Sequence, residues 1–359
     1  MAGGGAERQL TYLVKSQREL GLDVDVCLCN GGPNMERLRA AEVPVHQLGL
    51  RNNYDPFLLL KLVKLIRKLQ PDIVQTWLLQ MDVAGGLAAL LTGVPFILSE
   101  RCSAGAYSRS FKWLMRNFVA RNSSAIIANS AQGLLYWKSI VKEQHPLFVV
   151  SNSIPIEEIY AAPQFYPENS AIPENVPRIL FVGRLHPSKR IGLLLDVFKL
   201  ALEQTSAILL ICGQGEELGS LQSCVATDNQ LSGRVFFLSY QSNSWGLMKT
   251  SDVFVSFSSY EGCPNAVTEA AVCGLPLFLS DIPEHRDIVG SNAWYLPDDL
   301  TNAADCLVKA LDKSDENRAM TMSAVTALSC YDPHEIAHKV SQCYESVLLG
   351  THTDKTSAI

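Results

Sequence analysis

The chain has 359 residues, 47% of them hydrophobic, and carries 30 lysines and arginines against 36 aspartates and glutamates, a formal net charge of −6. That length is large for one domain and ordinary for two, while the acidic balance argues against a general nucleic-acid partner and the lack of any run of about eighteen apolar residues argues against a membrane-spanning helix. Ten cysteines are scattered without ligand spacing and no Cys-x-x-Cys occurs, so reduced thiols, no metal site and a cytoplasmic protein are expected.

Along the chain, apolar runs of strand length alternate with segments of helical period, the pattern of parallel α/β folds. In the first half the pattern predicts strands over 23–29, 73–76, 95–99, 125–128 and 148–150. Asp23-Val24-Asp25 matches a metal-binding Asp-x-Asp, but its alternation with Leu22, Val24 and Val26 reads as a strand with one polar face. The segment 107–121 sets Arg109, Lys112, Arg116 and Arg121 among Phe111, Trp113, Leu114, Met115 and Phe118. It reads equally as a core-facing helix and as a basic amphipathic helix resting on anionic lipid. Residues 161–177, rich in Pro, Glu and Ala, read as a linker. Further strands are predicted over 179–182, 208–212, 235–238, 253–257 and 277–279, a last helix over 334–349 and a frayed tail over 350–359. The simplest architecture is two Rossmann-like domains, 1–160 and 178–333, facing a cleft.

The chemistry concentrates in Tyr260-Glu261-Gly262-Cys263-Pro264-Asn265-Ala266-Val267-Thr268-Glu269. A buried strand precedes it and Gly274 closes the helix that follows, so Glu261 falls on a loop at the strand's carboxyl end. Pro264 suits the first helical turn, where the backbone N–H groups of Asn265, Ala266 and Val267 would attract an anion. The plain alternative is that both glutamates are solvated helix-cap residues, worth only ~0.3–1 kcal/mol each. Against it stands a second loop, Gly183-Arg184-Leu185-His186-Pro187-Ser188-Lys189-Arg190, which also follows a strand and carries Arg184 and Lys189. In doubly wound sheets ligands bind where such strand ends meet at a topological switch point.

These elements, with Gly213-Gln214-Gly215 between them, resemble the carboxyl-terminal half of retaining GT-B glycosyltransferases of the family-4 type. The resemblance runs over about 178–289 and extends weakly to the first half, where Gly3-Gly4-Gly5-Ala6-Glu7-Arg8 is similar to the family's glycine loop and 71–77 to a strand entry common there. It implies an α/β fold of GT-B architecture, with the last helix packing back onto the first domain. It also implies transfer of a hexosyl or N-acetylhexosaminyl group from a nucleoside-diphosphate sugar, most commonly a UDP-sugar, to a saccharide acceptor in cell-surface polysaccharide or glycoconjugate synthesis. The acceptor is lipid-linked in many relatives, which would favour a peripheral place on the inner face of the plasma membrane. The nucleotide-sugar is a substrate and no cofactor is implied.

By the same resemblance Arg184 and Lys189 hold the diphosphate without a metal, and Asn265, Ala266 and Val267 add N–H donors. Gly3, Gly4 and Gly5 let the opposing loop come close, Glu269 accepts from the ribose hydroxyls, and Glu261 contacts the sugar as positioning group or nucleophile. Gly213, Gly215 and Tyr240 are candidates for the base pocket, with a tight turn as the alternative for the glycines.

Two departures from the family pattern stand out. Many relatives carry a histidine after the strand at 95–99, where Glu100 and Arg101 stand here; these become candidates for contact with donor sugar or acceptor. Asp82 is a further one, read more readily as a helix cap. The first-half histidines, His46 and His145, lie elsewhere, and His186 and His285 beside the second-half loops read as incidental. The second departure is that only Met1 and Ala2 precede Gly3, so the amino-terminal domain is expected to lack its first strand, roughly ten residues. A nucleotide-sugar epimerase and a non-catalytic nucleotide-binding scaffold remain the alternatives.

Overall fold

The computed structural model describes residues 5–50, 55, 57–101, 110–168, 172–173, 175–241 and 243–356. The chain divides into two compact units, Met1–Ser153 with Tyr331–Ile359, and Ile154–Cys330.

The first unit runs α1 (Gly5–Glu19), β1 (Val26–Leu28), α2 (Met35–Ala40), β2 (Val45–Gln47), α3 (Leu58–Leu69), β3 (Val74–Trp77), α4 (Leu78–Thr92), β4 (Phe96–Glu100), α5 (Phe111–Arg121), β5 (Ala125–Ala128), α6 (Ala131–Lys138) and β6 (Leu147–Val149). Its strands form two parallel sheets, β1–β2 and β3–β4–β5–β6. Among the described residues β1 pairs only with β2 and β3 only with β4. Packing nevertheless joins the sheets: Cys27 of β1 and Cys29 just after it share an apolar cluster with Val74 of β3. Helix α1 sends Val14 to the β1 side and Leu13 to the cluster around Ile97 of β4. The Asp-x-Asp at 23–25 is no metal pair, for Asp25 bonds His46 at 2.6 Å and Asp23 lies 3.8 Å from Arg18.

Gly86 lets α4 and α5 close on each other, since a Cβ there would stand 2.2 Å from Val119 Cγ1. Alanine at that point would have to push the helices apart.

The second unit holds α7 (Ile156–Ala161), β7 (Arg178–Val182), α8 (Ile191–Ala201), β8 (Ile208–Cys212), α9 (Leu218–Thr227), β9 (Val235–Leu238), α10 (Ser244–Met248), β10 (Val253–Ser256), α11 (Asn265–Val272), β11 (Leu277–Ser280), α12 (Pro283–Val289), β12 (Trp294–Leu296), α13 (Leu300–Leu311) and α14 (Asp315–Leu328). One parallel sheet in the order β12–β11–β10–β7–β8–β9 carries it. The direction of winding reverses between β7 and β10, which defines the crevice where a doubly wound fold takes its ligand. The sheet is buried on both faces by continuous Ile, Leu, Val and Phe runs such as Ile208–Cys212, as parallel sheets require.

The first part of the expected linker, residues 161–165, is not free. Lys249 Nζ donates to the carbonyls of Tyr160 and Ala162 at 2.9 and 2.6 Å, Thr250 Oγ1 donates to Phe165 O at 2.8 Å, and Phe165 N–H donates to Gly246 O at 3.1 Å. These bonds fasten it to the second unit, so the division falls near residue 153. A last helix, α15 (Pro333–Thr356), runs past the end expected at 349, because a single internal glycine, Gly350, weakens a helix without stopping it. Ile336, Ala337, Val340, Cys343 and Val347 of α15 pack with Leu13, Ile97 and Ile127 of the first unit. Tyr344 Oη accepts from Gln17 at 3.1 Å and donates to Gln75 at 2.5 Å.

Candidate functional site

The loops leaving β7 and β10 meet at the switch point. After β7 the chain passes Gly183 and Arg184 into a single 3-10 turn, Pro187–Lys189, capped by His186, whose Nδ1 accepts from Ser188 N–H at 3.2 Å. The next residue, Arg190, takes the left-handed conformation (φ 49°), which costs a non-glycine residue about 1 kcal/mol or more. Its guanidinium holds the other loop in return, donating to Phe257 O at 2.6 Å and Ser258 O at 3.4 Å. Ser259 N–H adds a bond to Ser188 O at 2.8 Å.

Lys189 and Glu261 close the join: Lys189 Nζ donates to Glu261 Oε1, and Ser258 Oγ donates to the same oxygen at 2.6 Å. Both side chains are mostly but not fully covered, 21% and 14% exposed. The backbone N–H of Glu261 is bonded to the carboxylate of Glu284, which burial pushes above the usual carboxylate range. The second carboxylate oxygen of Glu261, Oε2, has no partner among the described residues and remains available to a ligand hydroxyl. Arg184 is exposed and likewise without a partner among the described residues. The crevice thus offers one fixed carboxylate, one shared ammonium and one uncommitted guanidinium.

Neither glutamate caps a helix. Glu261 lies outside α11, whose first turn has no side-chain cap, and Glu269 is buried inside α11 at 4% exposure, with Oε2 accepting from Trp245 Nε1 at 2.8 Å. The amides at the start of α11 are less available than their position implies: Asn265 N–H donates to Cys263 O at 2.9 Å and Val267 N–H to Pro264 O at 3.0 Å. A tightened first turn takes up both, leaving Ala266 N–H as the donor that α11 can offer a ligand.

Gly213 and Gly215 are required by the loops themselves. A Cβ on Gly213, at φ +152°, would stand 1.9 Å from Gly183 O, and one on Gly215 would stand 2.1 Å from Leu185 O. The two loops therefore lie backbone to backbone, and the glycines allow the Arg184 loop its place. Tyr240 stands after β9 with 62% exposure.

In the first unit, Glu100 is not at a surface. With Asp82 and Arg116 it forms a fully buried cluster in which Arg116 Nε donates to Asp82 Oδ2 at 2.8 Å and Nη1 to Glu100 Oε2 at 2.9 Å. Trp137 Nε1 donates to Glu100 Oε2 at 3.0 Å and Thr76 Oγ1 to Asp82 Oδ1 at 2.8 Å. Burial pushes Asp82 up to about 6 against the pull of Arg116. Asp82 is the fifth residue of α4, not a cap, and Arg116 is a core cation, not a solvated one. Arg101 lies over the Trp77 ring, 3.7 Å from its centroid, and donates to Asn152 Oδ1 at 3.2 Å. Gly5 opens α1 and is exposed, while Gly3 and Gly4 lie outside the described residues.

Sequence reasoning missed Trp245 and Glu284 beside the second-unit loops and read His285 as incidental. Trp245 braces Glu269, Glu284 holds the Glu261 backbone, and His285 is fully buried beside the crevice with Nδ1 2.8 Å from Ser280 O. Burial pushes the imidazole of His285 down, toward the neutral form. Only the tertiary fold brings these side chains to the β10 loop.

Residues 164–324 match the family model of glycosyl transferases group 1, and residues 3–158 match that of glycosyltransferase family 4. Among curated relatives, the UDP-Gal:alpha-D-GlcNAc-diphosphoundecaprenol alpha-1,3-galactosyltransferase of Escherichia coli is 26% identical over 285 residues, covering 74% of this chain and 73% of that protein. The capsular polysaccharide biosynthesis glycosyltransferase CapH of Staphylococcus aureus is 24% identical over 303 residues, with 80% and 81% covered. HepE of Anabaena, solved in complex with UDP-glucose, matches at a TM-score of 0.81 over 96% of each chain with 20% identity, a likeness of fold. These matches favour a transferase over an epimerase or a non-catalytic scaffold. The chain is a glycosyltransferase of polysaccharide or glycoconjugate synthesis, and belongs to the family-4 type with the two-domain, Rossmann-like GT-B architecture.

Proposed function

We propose that this enzyme moves a hexosyl or N-acetylhexosaminyl group from a UDP-sugar to a lipid-linked saccharide, with retention at the anomeric carbon and without a metal, working in the cytoplasm at the inner face of the membrane. The observation that carries the reading is the junction at the β7–β10 switch point, where Lys189 and Glu261 bind each other and Arg184 stands uncommitted. As the sugar leaves, negative charge grows on the distal phosphate, and donors aimed at that charge speed the step. Arg184 supplies one full cation. Lys189, already held in place by Glu261, supplies a second with little reorganisation, and the Ala266 N–H at the start of α11 adds a dipolar donor.

Glu261 acts as a positioning group in this reading. Its Oε1 is occupied by Lys189 and Ser258, so Oε2 takes a sugar hydroxyl or faces the oxocarbenium-like charge. Glu269, its plane fixed by Trp245, accepts from the ribose. The names of the Escherichia coli relative and of the Anabaena complex, which specify UDP-Gal with a diphosphoundecaprenol-linked acceptor and UDP-glucose, support the donor class and the acceptor class.

The test is a transfer assay with a panel of UDP-hexoses and UDP-N-acetylhexosamines, a GlcNAc-diphospho-lipid acceptor and excess chelator, with products identified by mass spectrometry and the new linkage by NMR. An axial donor bond that remains axial in the product, undiminished by chelator, is the expected result. Inverted product, metal-dependent turnover or donor epimerisation without transfer would overturn the corresponding part of the reading.

A further inference from the structure

Helices α3, α4 and α5 lie side by side on the first unit. Leu58, Leu62 and Ile66 of α3 pack with Ala84 and Ala88 of α4, and Val119 of α5 abuts Gly86. The middle helix has an unusual composition for a surface element: across Leu-Leu-Gln-Met-Asp-Val-Ala-Gly-Gly-Leu-Ala-Ala-Leu-Leu-Thr its sole ionisable residue, Asp82, is buried, while Leu78, Leu90 and Leu91 are exposed. Its neighbours continue the apolar surface. On α5, Phe111, Leu114 and Phe118 are 75, 57 and 51% exposed at i, i+3 and i+7, one face of the helix, and Phe57 and Leu60 stand out at the start of α3.

The charges around these side chains have one sign. Lys61, Lys64, Arg67 and Lys68 on α3 and Lys112 and Arg121 on α5 reach the surface, and no carboxylate on the three helices does. Lys61 is taken up by Asp55 at 3.7 Å and by Leu48 O at 3.0 Å; in a chain with a net charge of −6, the other five cations, with no exposed acid on the three helices, mark a segregated surface. Exposed apolar side chains on all three helices, accompanied on α3 and α5 by cations alone, match the two layers of an anionic bilayer surface, acyl boundary and headgroups. A second copy of the chain fits worse, because a two-fold contact through this face would bring like charges together. No helix among the described residues is long and apolar enough to cross a membrane.

We propose that the α3–α4–α5 face docks on an anionic lipid bilayer, with Phe111, Leu114, Phe118, Leu90 and Leu91 entering the acyl boundary and Lys64, Arg67, Lys68, Lys112 and Arg121 against the headgroups. The inference deepens the lipid-acceptor reading without requiring it, since docking is measured with neither donor nor acceptor present.

The experiment is sedimentation of the full chain with phosphatidylcholine vesicles and with vesicles that also contain phosphatidylglycerol, at low and raised salt. Binding to the anionic vesicles alone, weakened by salt, is expected. Each cation near the surface is worth about fivefold in partitioning, from ~1 kcal/mol, so Lys64→Glu with Lys68→Glu should weaken binding by roughly twentyfold or more. Phe111→Ser with Leu114→Ser should weaken it at every salt concentration. All of these side chains are solvent-facing, and unchanged circular dichroism and melting confirm that a loss of binding is not a loss of fold. Failure of the parent chain to bind, equal binding to neutral vesicles, or variants that bind like the parent would overturn the proposal. So would a sedimentation velocity run showing a dimer that Phe111→Ser with Leu114→Ser dissolves. Vesicle binding that stands while no lipid-linked acceptor is used would count against the acceptor reading and leave the docking face intact.

Discussion

Replacing Arg116 by methionine tests whether Glu100 is a structural residue or a substrate contact. The side chain is fully buried and holds two fully buried carboxylates, Asp82 at 2.8 Å and Glu100 at 2.9 Å. Removing one partner of a buried ion pair costs roughly 3–5 kcal/mol, because the remaining charge stays in a medium that cannot solvate it. Here two carboxylates are stranded together, so the upper part of that range is expected, softened only by proton uptake. That escape gives the prediction its signature: the deficit should be largest near neutral pH and shrink toward pH 5, where Asp82, raised to about 6 even beside Arg116, can be neutral. Amide hydrogen exchange of β3, β4 and β5 reads the free energy of this core directly, without requiring the two units to unfold together. Glu100→Gln should likewise weaken protection there and leave the acceptor KM unchanged. A deficit below about 1 kcal/mol for Arg116→Met with no pH dependence would refute the structural assignment, as would a raised acceptor KM in Glu100→Gln with normal protection.

Asp82 gives a second pH effect. Its pKa is raised from 3.8 to about 6, so the unfolded chain loses this proton first, and stability is full below about pH 4 and falls as pH rises through 6. The fall amounts to about 3 kcal/mol; the difference between parent and Asp82→Asn curves should show it, and a flat difference would contradict it. In the second unit, Glu269→Ala should raise the donor Kd about tenfold to a hundredfold, from the loss of a charged hydrogen bond, and destabilise by removing the bond from Trp245 Nε1. Glu261→Ala should lower kcat about a hundredfold with a smaller effect on donor binding; isothermal titration and steady-state kinetics separate the two, and equal, negligible effects would remove both residues from the site. Gly215→Ala must displace the Gly183–Leu185 backbone, so donor affinity should fall about tenfold or more, and unchanged affinity would show that the Arg184 loop is not positioned by that contact.

The strands of the second unit were legible in sequence because each is a short, continuous apolar run ending in glycine or serine; β7 to β11 fall within a residue or two of expectation. The short strands β2 and β12 passed unnoticed, since Val45–Gln47 and Trp294–Leu296 are too brief and too mixed to show a period. The loop residues Arg184, Lys189 and Glu261 were readable because strand ends fix their neighbourhood. Glu100 was misread for the opposite reason: its environment is made by Arg116 and Trp137, 16 and 37 residues away, and nothing local distinguishes a buried carboxylate from an exposed one at a strand end. Gly213 and Gly215 show the same limit, for the clash that requires them comes from the neighbouring loop.

The central claim is that the donor sits on the loops after β7 and β10. Hydrogen exchange of the full chain with and without a saturating UDP-sugar locates it directly. The account predicts new protection over 183–190 and 258–269, lost in Arg184→Met, whereas protection confined to the first unit, or none in either loop at saturation, would contradict it.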